Sequence, residues 1–170
     1  YISKVRAGEA QIRDAMERVV AGFDHAAKVK YGDIAYDPWS GRGTLNDIEI
    51  SWYNAETTIG ALMIDPVRSD GGAESGQGRV EFHRVTDRGY GLLSSVLAWS
   101  FGLAMYDMYK GKDGEIGYEL AADFTYQPND RTLTIRDLTL KAPDWGDLKI
   151  SLDLTDLPDT LAWPELHKIP

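Results

Sequence analysis

Apolar residues at Val5, Ile12, Met16, Val19 and Phe23 recur at helical spacing, with Arg6, Glu9, Arg13, Asp14 and Glu17 on the opposite side. The spacing predicts a helix from about Ser3 to Ala21, stopped by Gly22. Beyond it the period shortens to two. Val29 and Tyr31, then Ile34 and Tyr36, give a strand over Lys28–Tyr36, with a slip at Gly32-Asp33 that predicts a bulge. Asp37-Pro-Trp-Ser-Gly41 is turn chemistry, and it leads into strands over Arg42–Trp52 and Thr57–Met63. Ser69–Gly78 is small and polar, a connector or mobile loop. Arg79–Val85 reads as a short strand and Leu92–Lys110 as a second helix, ended by Gly111-Lys-Asp-Gly114. Three further strands follow, over Glu115–Tyr126, Thr132–Lys141 and Asp147–Thr155. In the last, Leu148, Ile150, Leu152 and Leu154 alternate with Asp147, Lys149, Ser151 and Asp153, the clearest half-buried strand pattern in the chain.

Part of this pattern is duplicated. Gly32–Ile50 aligns without a gap over Ala122–Leu140, with identities at Asp33/Asp123, Tyr36/Tyr126, Pro38/Pro128, Thr44/Thr134 and Asp47/Asp137. Both copies break phase at the same place. Leu45 is out of step with Ile48, Ile50 and Trp52, and Leu133 and Ile135 are out of step with Leu138 and Leu140. A single-residue bulge at Asn46-Asp47 and at Arg136-Asp137 returns each set to one face.

These elements predict an α+β fold. Two units, each a helix followed by a three-strand antiparallel meander, build a curved sheet covered by the helices. Residues 1–170 form a single domain in this plan, with repeats at about 1–68 and 91–157 joined by the connector 69–78. The second helix is apolar nearly all round, which suits a position between sheets or facing a ligand or partner.

A composition of 43% hydrophobic and 26% charged residues is globular, and the net charge of −9 argues against nucleic acid and against docking on anionic headgroups through a basic patch. With no cysteine, disulfides, thiol catalysis and Cys-ligated zinc are excluded. The chain starts at Tyr1 rather than Met, as a processed or trimmed fragment does. No residue from Gly89 to Tyr106 is charged, a stretch at the edge of the ~18 residues a membrane span needs. Its Gly and Ser content favours a buried helix.

Candidate chemistry is sparse. His25, His83 and His167 have no partner at metal-ligand spacing, and there is no nucleophile elbow or dinucleotide fingerprint. No catalytic residue, metal or cofactor is expected. Asp33/Asp123 and Asp47/Asp137 repeat and could form a carboxylate or calcium device; an Asp serving the backbone at a turn or bulge is the simpler reading. Trp39, Trp52, Tyr53, Trp99, Trp145 and Trp163 include turn positions, where an aromatic can serve as a sugar platform, a membrane anchor or a partner contact.

The Tyr-x-Pro turn at Tyr126, Thr132-Leu-Thr-Ile-Arg-Asp-Leu-Thr-Leu140 and Gly146-Asp-Leu-Lys-Ile-Ser-Leu-Asp-Leu154 resemble strand repeats of bacterial AsmA-like and related inner-membrane-anchored periplasmic proteins. Tyr31–Pro38 and Gly43–Ile50 are similar to their opening strands, so the likeness covers about half the chain. It implies an N-terminal membrane anchor upstream, a periplasmic location and an apolar concave sheet face for lipid; it carries no catalytic residues. The expectation is a non-enzymatic envelope protein that binds or helps to transport lipid or another apolar ligand. Its surface would comprise Ile48, Ile50, Trp52, Leu138, Leu140, Leu148, Ile150, Leu152 and Leu154, faced by Val96, Trp99, Phe101, Leu103 and Met105. The rival expectation is a structural or adaptor module docking envelope protein partners. A weaker third is a glycan enzyme using the repeated carboxylates.

Overall fold

The computed structural model describes residues 2–22, 26–53, 55–65, 76–89, 91, 114–127, 130–143 and 146–156. Helix α1 (Ile2–Gly22) comes first. The strands follow as β1 (Lys28–Lys30), β2 (Ile34–Asp37), β3 (Arg42–Trp52), β4 (Ala55–Asp65), β5 (Gly76–Arg88), β6 (Glu115–Gln127), β7 (Thr132–Ala142) and β8 (Gly146–Leu154). They form one antiparallel sheet in the order β1-β3-β4-β5-β6-β7-β8, with β2 pairing with β3 alongside β1.

This corrects the predicted α+β plan. Strands hold 66% of the described residues, and the one helix among them is N-terminal rather than part of a helical cover. The physical reason lies in β5. Predicted as a short strand beside a connector, it is 13 residues long and pairs along its length with β4 on one side and β6 on the other. Gly76–Gly78, assigned to the connector, already belong to it. The two predicted meanders therefore meet in one continuous sheet. The predicted second helix over 92–110 lies outside the described residues.

Helix α1 packs on β2. Its Gly8 sits under the ring of Tyr36, where a Cβ would collide with the ring. Ile12 is buried, and Met16 packs against the core. The helix thus guards the β2 edge of the sheet.

The core lies on one face, built from Leu45 and Ile48 of β3, Ile59 of β4, Val85 of β5, Ile116 and Tyr118 of β6, and Leu140 and Ala142 of β7. Leu45 and Ile48 are three residues apart, yet only 2% and 3% exposed. A left-handed backbone at Asp47 (φ 52°) absorbs the odd residue, and Asp137 does the same in β7 (φ 50°). The consequences for pairing differ. On β7 the register shifts against both neighbours, between Ala121 and Asp123 and between Ile135 and Leu138, as a bulge requires. On β3 the ladder with β4 passes from Asn46↔Ala61 to Ile48↔Ile59 without a change of register. Gly32 lies against Asp47 there, its amide donating to the Asn46 carbonyl at 2.9 Å. A third break, unseen in the sequence, is Arg84 of β5 (φ 52°), where the register with β6 shifts between Phe82 and Val85. These breaks fall on alternate strands from β3 to β7.

The duplication is visible in the backbone. Positive φ recurs at Gly41 (73°) and Arg131 (53°), as at Asp47 and Asp137, and β3 and β7 occupy aligned positions of the two copies. Strand β8 follows β7 as β4 follows β3. Their surroundings differ: β4 carries β5 on its outer edge, whereas β8 is the last strand among the described residues.

Candidate functional site

Leu148, Ile150, Leu152 and Leu154 face, in register, Leu140, Leu138, Ile135 and Leu133 of β7, so the core face continues onto β8. There nothing among the described residues covers it. The four β8 side chains are 49%, 39%, 43% and 39% exposed, whereas Leu133 and Leu140 on the neighbouring strand are buried. The sequence pattern of β8 is that of a half-buried strand, but every one of its residues is exposed. A row of large apolar side chains on a terminal strand is the kind of surface that marks an interaction site.

The predicted ligand residues therefore divide into groups. Ile48 and Leu140 are core, while Ile50, Trp52 and Leu138 are half-buried, with Ile50 packed against the core cluster. Leu148, Ile150, Leu152 and Leu154 form the open row. Val96, Trp99, Phe101, Leu103 and Met105 lie outside the described residues.

The polar side chains form two rows across the sheet. Asp65, Arg79, Asp123 and Arg136 stand opposite one another on β4, β5, β6 and β7, alternating in sign. Arg42 joins the row from β3 with Nη2 2.7 Å from Asp65, and Arg79 donates to Asp123 at 3.0 Å. Glu56, Arg88 and Glu115 make a second alternating row towards the other end, with Arg88 bonded to Glu115. The guanidiniums of Arg42, Arg79 and Arg88 hold their protons more firmly than usual because a hydrogen-bonded carboxylate faces each. Opposite charges directly across a ladder favour one register and penalise a slip. An open cleft of about 370 Å³ beside the first row takes in Gln77, Phe124 and Thr125 with four of its charged residues. The balanced signs there suit register, and give no selectivity for an anion or a cation.

His83 has Nε2 2.9 Å from Glu81 and Nδ1 3.7 Å from Glu119. The Glu81 carboxyl is held below its usual range, first by the Arg79 guanidinium and then by the His83 ring. The Asp137 carboxyl is lowered by Lys149, whose Nζ is 2.6 Å away. At the β2–β3 turn Asp37 is lowered by the Ser40 hydroxyl at 2.6 Å and by the Trp39 amide at 3.0 Å. Trp39 and Tyr53, at turns on opposite ends of β3, are 85% and 100% exposed. Among the described residues no group of three or more His, Asp or Glu side chains could hold a metal ion, and no helix is long and apolar enough to cross a membrane.

Sequence reasoning missed one buried polar pair. Asp87, fully buried, accepts a 2.6 Å hydrogen bond from the Thr57 hydroxyl across the β4–β5 ladder. Gly91 lies against the carboxylate, with no room for a Cβ. Thr57 lies between Ala55 and Ile59, which are also buried, and this inward phase was the signal available. The pair anchors the chain where it leaves β5.

The described residues thus define an open, all-antiparallel sheet, guarded by a helix at one edge and apolar and exposed at the other. No family model matches the chain, and no curated protein matches it.

Proposed function

We propose that this chain is a non-enzymatic binding protein of the bacterial envelope that holds or passes on lipid or another apolar ligand, using the open apolar face of β7 and β8. The carrying observation is the row Leu148, Ile150, Leu152 and Leu154, exposed by 39–49% and continuous with the buried face of the sheet. A folded chain loses stabilisation by leaving four large apolar side chains wet, roughly 25 cal/mol for each Å² left uncovered. An acyl chain lying along the row would recover part of it. The periplasmic location and an inner-membrane anchor upstream of Tyr1 belong to the same reading, supported by the resemblance to AsmA-like strand repeats.

The test is titration with a fluorescent fatty acid. Saturable binding is expected, weakened roughly tenfold or more by Ile150→Asp or Leu152→Asp, changes at exposed positions that leave the core intact. Saturable binding that these variants do not alter would move the ligand elsewhere; no saturable binding would favour the second reading. That reading is an adaptor module of an envelope complex, and the observation in its favour is that β8 is the last strand of the sheet among the described residues, with no described strand on its outer edge.

A further inference from the structure

We infer that β8 is also a self-association edge, pairing antiparallel with β8 of a second copy about a two-fold axis through Ser151. This goes beyond the ligand reading and does not depend on it, because edge pairing uses the backbone of β8 and leaves its apolar face open. Three observations carry it.

First, β8 follows β7 as β4 follows β3, at the same spacing of about ninety residues, and the outer edge of β4 is filled by β5 whereas no described strand fills that of β8. The fold therefore already uses this kind of edge for antiparallel pairing. Second, the apolar row makes any extension favourable only in registers that keep like faces together, since a slip of one residue would place Leu and Ile on the polar face. Third, among those registers the charges select one. Centred on Ser151, Leu148 faces Leu154, Ile150 faces Leu152, and Lys149 faces Asp153 of the other copy, twice over by symmetry. Centring on Lys149 or Asp153 puts like charges in contact, centring on Ile150 opposes Asp147 to Asp153, and centring on Leu152 opposes Leu148 to Asp156.

Charged residues on a terminal strand usually deter pairing. Here Lys149 and Asp153 stand symmetrically about Ser151, so in self-pairing they attract. Lys149 already holds Asp137 of β7 at 2.6 Å, and at 64% side-chain exposure it retains donors for a second carboxylate. The product is one sheet running through both copies, with the two open apolar rows merged at its centre.

Because the chain lacks cysteine, Ser151→Cys introduces a single thiol on the proposed axis. Facing residues of an antiparallel pair lie about 4.5–5.5 Å apart at Cα, within disulfide reach. Mild oxidation is expected to give a covalent dimer. Asp147→Cys, whose copies would be roughly 26 Å apart along the strands, should stay monomeric. In sedimentation equilibrium at physiological salt the unmodified chain should dimerise reversibly. Asp153→Lys should weaken the dimer roughly tenfold, and Asp153→Glu, which keeps the charge, should preserve it. Asp153→Lys keeps the Lys149–Asp137 pair, so its effect is not a loss of fold. The inference is overturned if the Ser151→Cys variant stays monomeric on oxidation, whether its thiol reacts with a small reagent (an edge left free) or does not (an edge covered by the chain itself). It is equally overturned if Asp153→Lys leaves dimerisation unchanged or Asp153→Glu weakens it as much.

Discussion

Asp47 and Asp137 show how a single backbone angle sets a face. Each sits near φ 50°, a conformation costing an ordinary L-residue about 1–2 kcal/mol but tolerated better by Asp and well by Gly. Asp47→Gly should therefore leave urea stability within about 0.5 kcal/mol or raise it, whereas Asp47→Val should lower it by about 1–3 kcal/mol. The break was legible because Leu45 and Ile48 are out of step. The difference in pairing was not, because the contact of Gly32 with Asp47 forms only once the strands lie side by side. The break at Arg84 escaped for a related reason. Phe82 and Val85 are out of step too, but with no second copy to compare, the odd residue looked like a strand end. Buried chemistry was less legible still. Thr57→Val removes a donor from a fully buried carboxylate and should cost about 1–3 kcal/mol in the same assay, far more than an exposed Thr→Val. Glu81 supplies a pH dependence. Its carboxyl lies below its ordinary value of 4.5 in the folded chain, so its contribution is complete above that value and is lost as pH falls through the lower folded one. The melting-temperature gap between the parent and Glu81→Gln should accordingly be constant near neutrality and close only in acid below the usual glutamate range.

Among the elements, the first helix and most strands could be read to within a few residues, because periodicity in α1, β3, β7 and β8 agrees with their flanking Gly, Pro and Asp turns. Strand β5 could not, because Gly76 and Gly78 made its start look like a connector and the slip at His83-Arg84 made Val85 look like its end, three residues early. That one strand is what turns two predicted meanders into a continuous sheet. Docking of α1 rests on a small residue rather than on its apolar stripe alone. Gly8 lies beneath Tyr36, so Gly8→Ala sets the gain in helix propensity, about 1 kcal/mol, against a collision with the ring. The collision should win, lowering urea stability. In a Tyr36→Ala background the same Gly8→Ala change should become neutral or stabilising, a sign reversal that a double-mutant cycle detects.

At the scale of the molecule, register is fixed three times over, by the one-sided core and by two alternating charge rows. The apolar face extends past the last buried strand onto an edge that nothing described covers. Composition gave the absence of thiol chemistry and the acidic surface, and the alternation in β8 gave its apolar residues. What the pattern could not give was their exposure, since a core row and a ligand row read identically until the neighbouring strands are counted. The central claim is that this row holds an apolar ligand. Native mass spectrometry of the chain purified without detergent, with lipid extraction of the same sample, tests it most directly. A bound mass that yields extractable lipid is expected in the parent and should be lost in Ile150→Asp; a bare chain mass in the parent, unchanged when lipid vesicles are supplied, would contradict the claim.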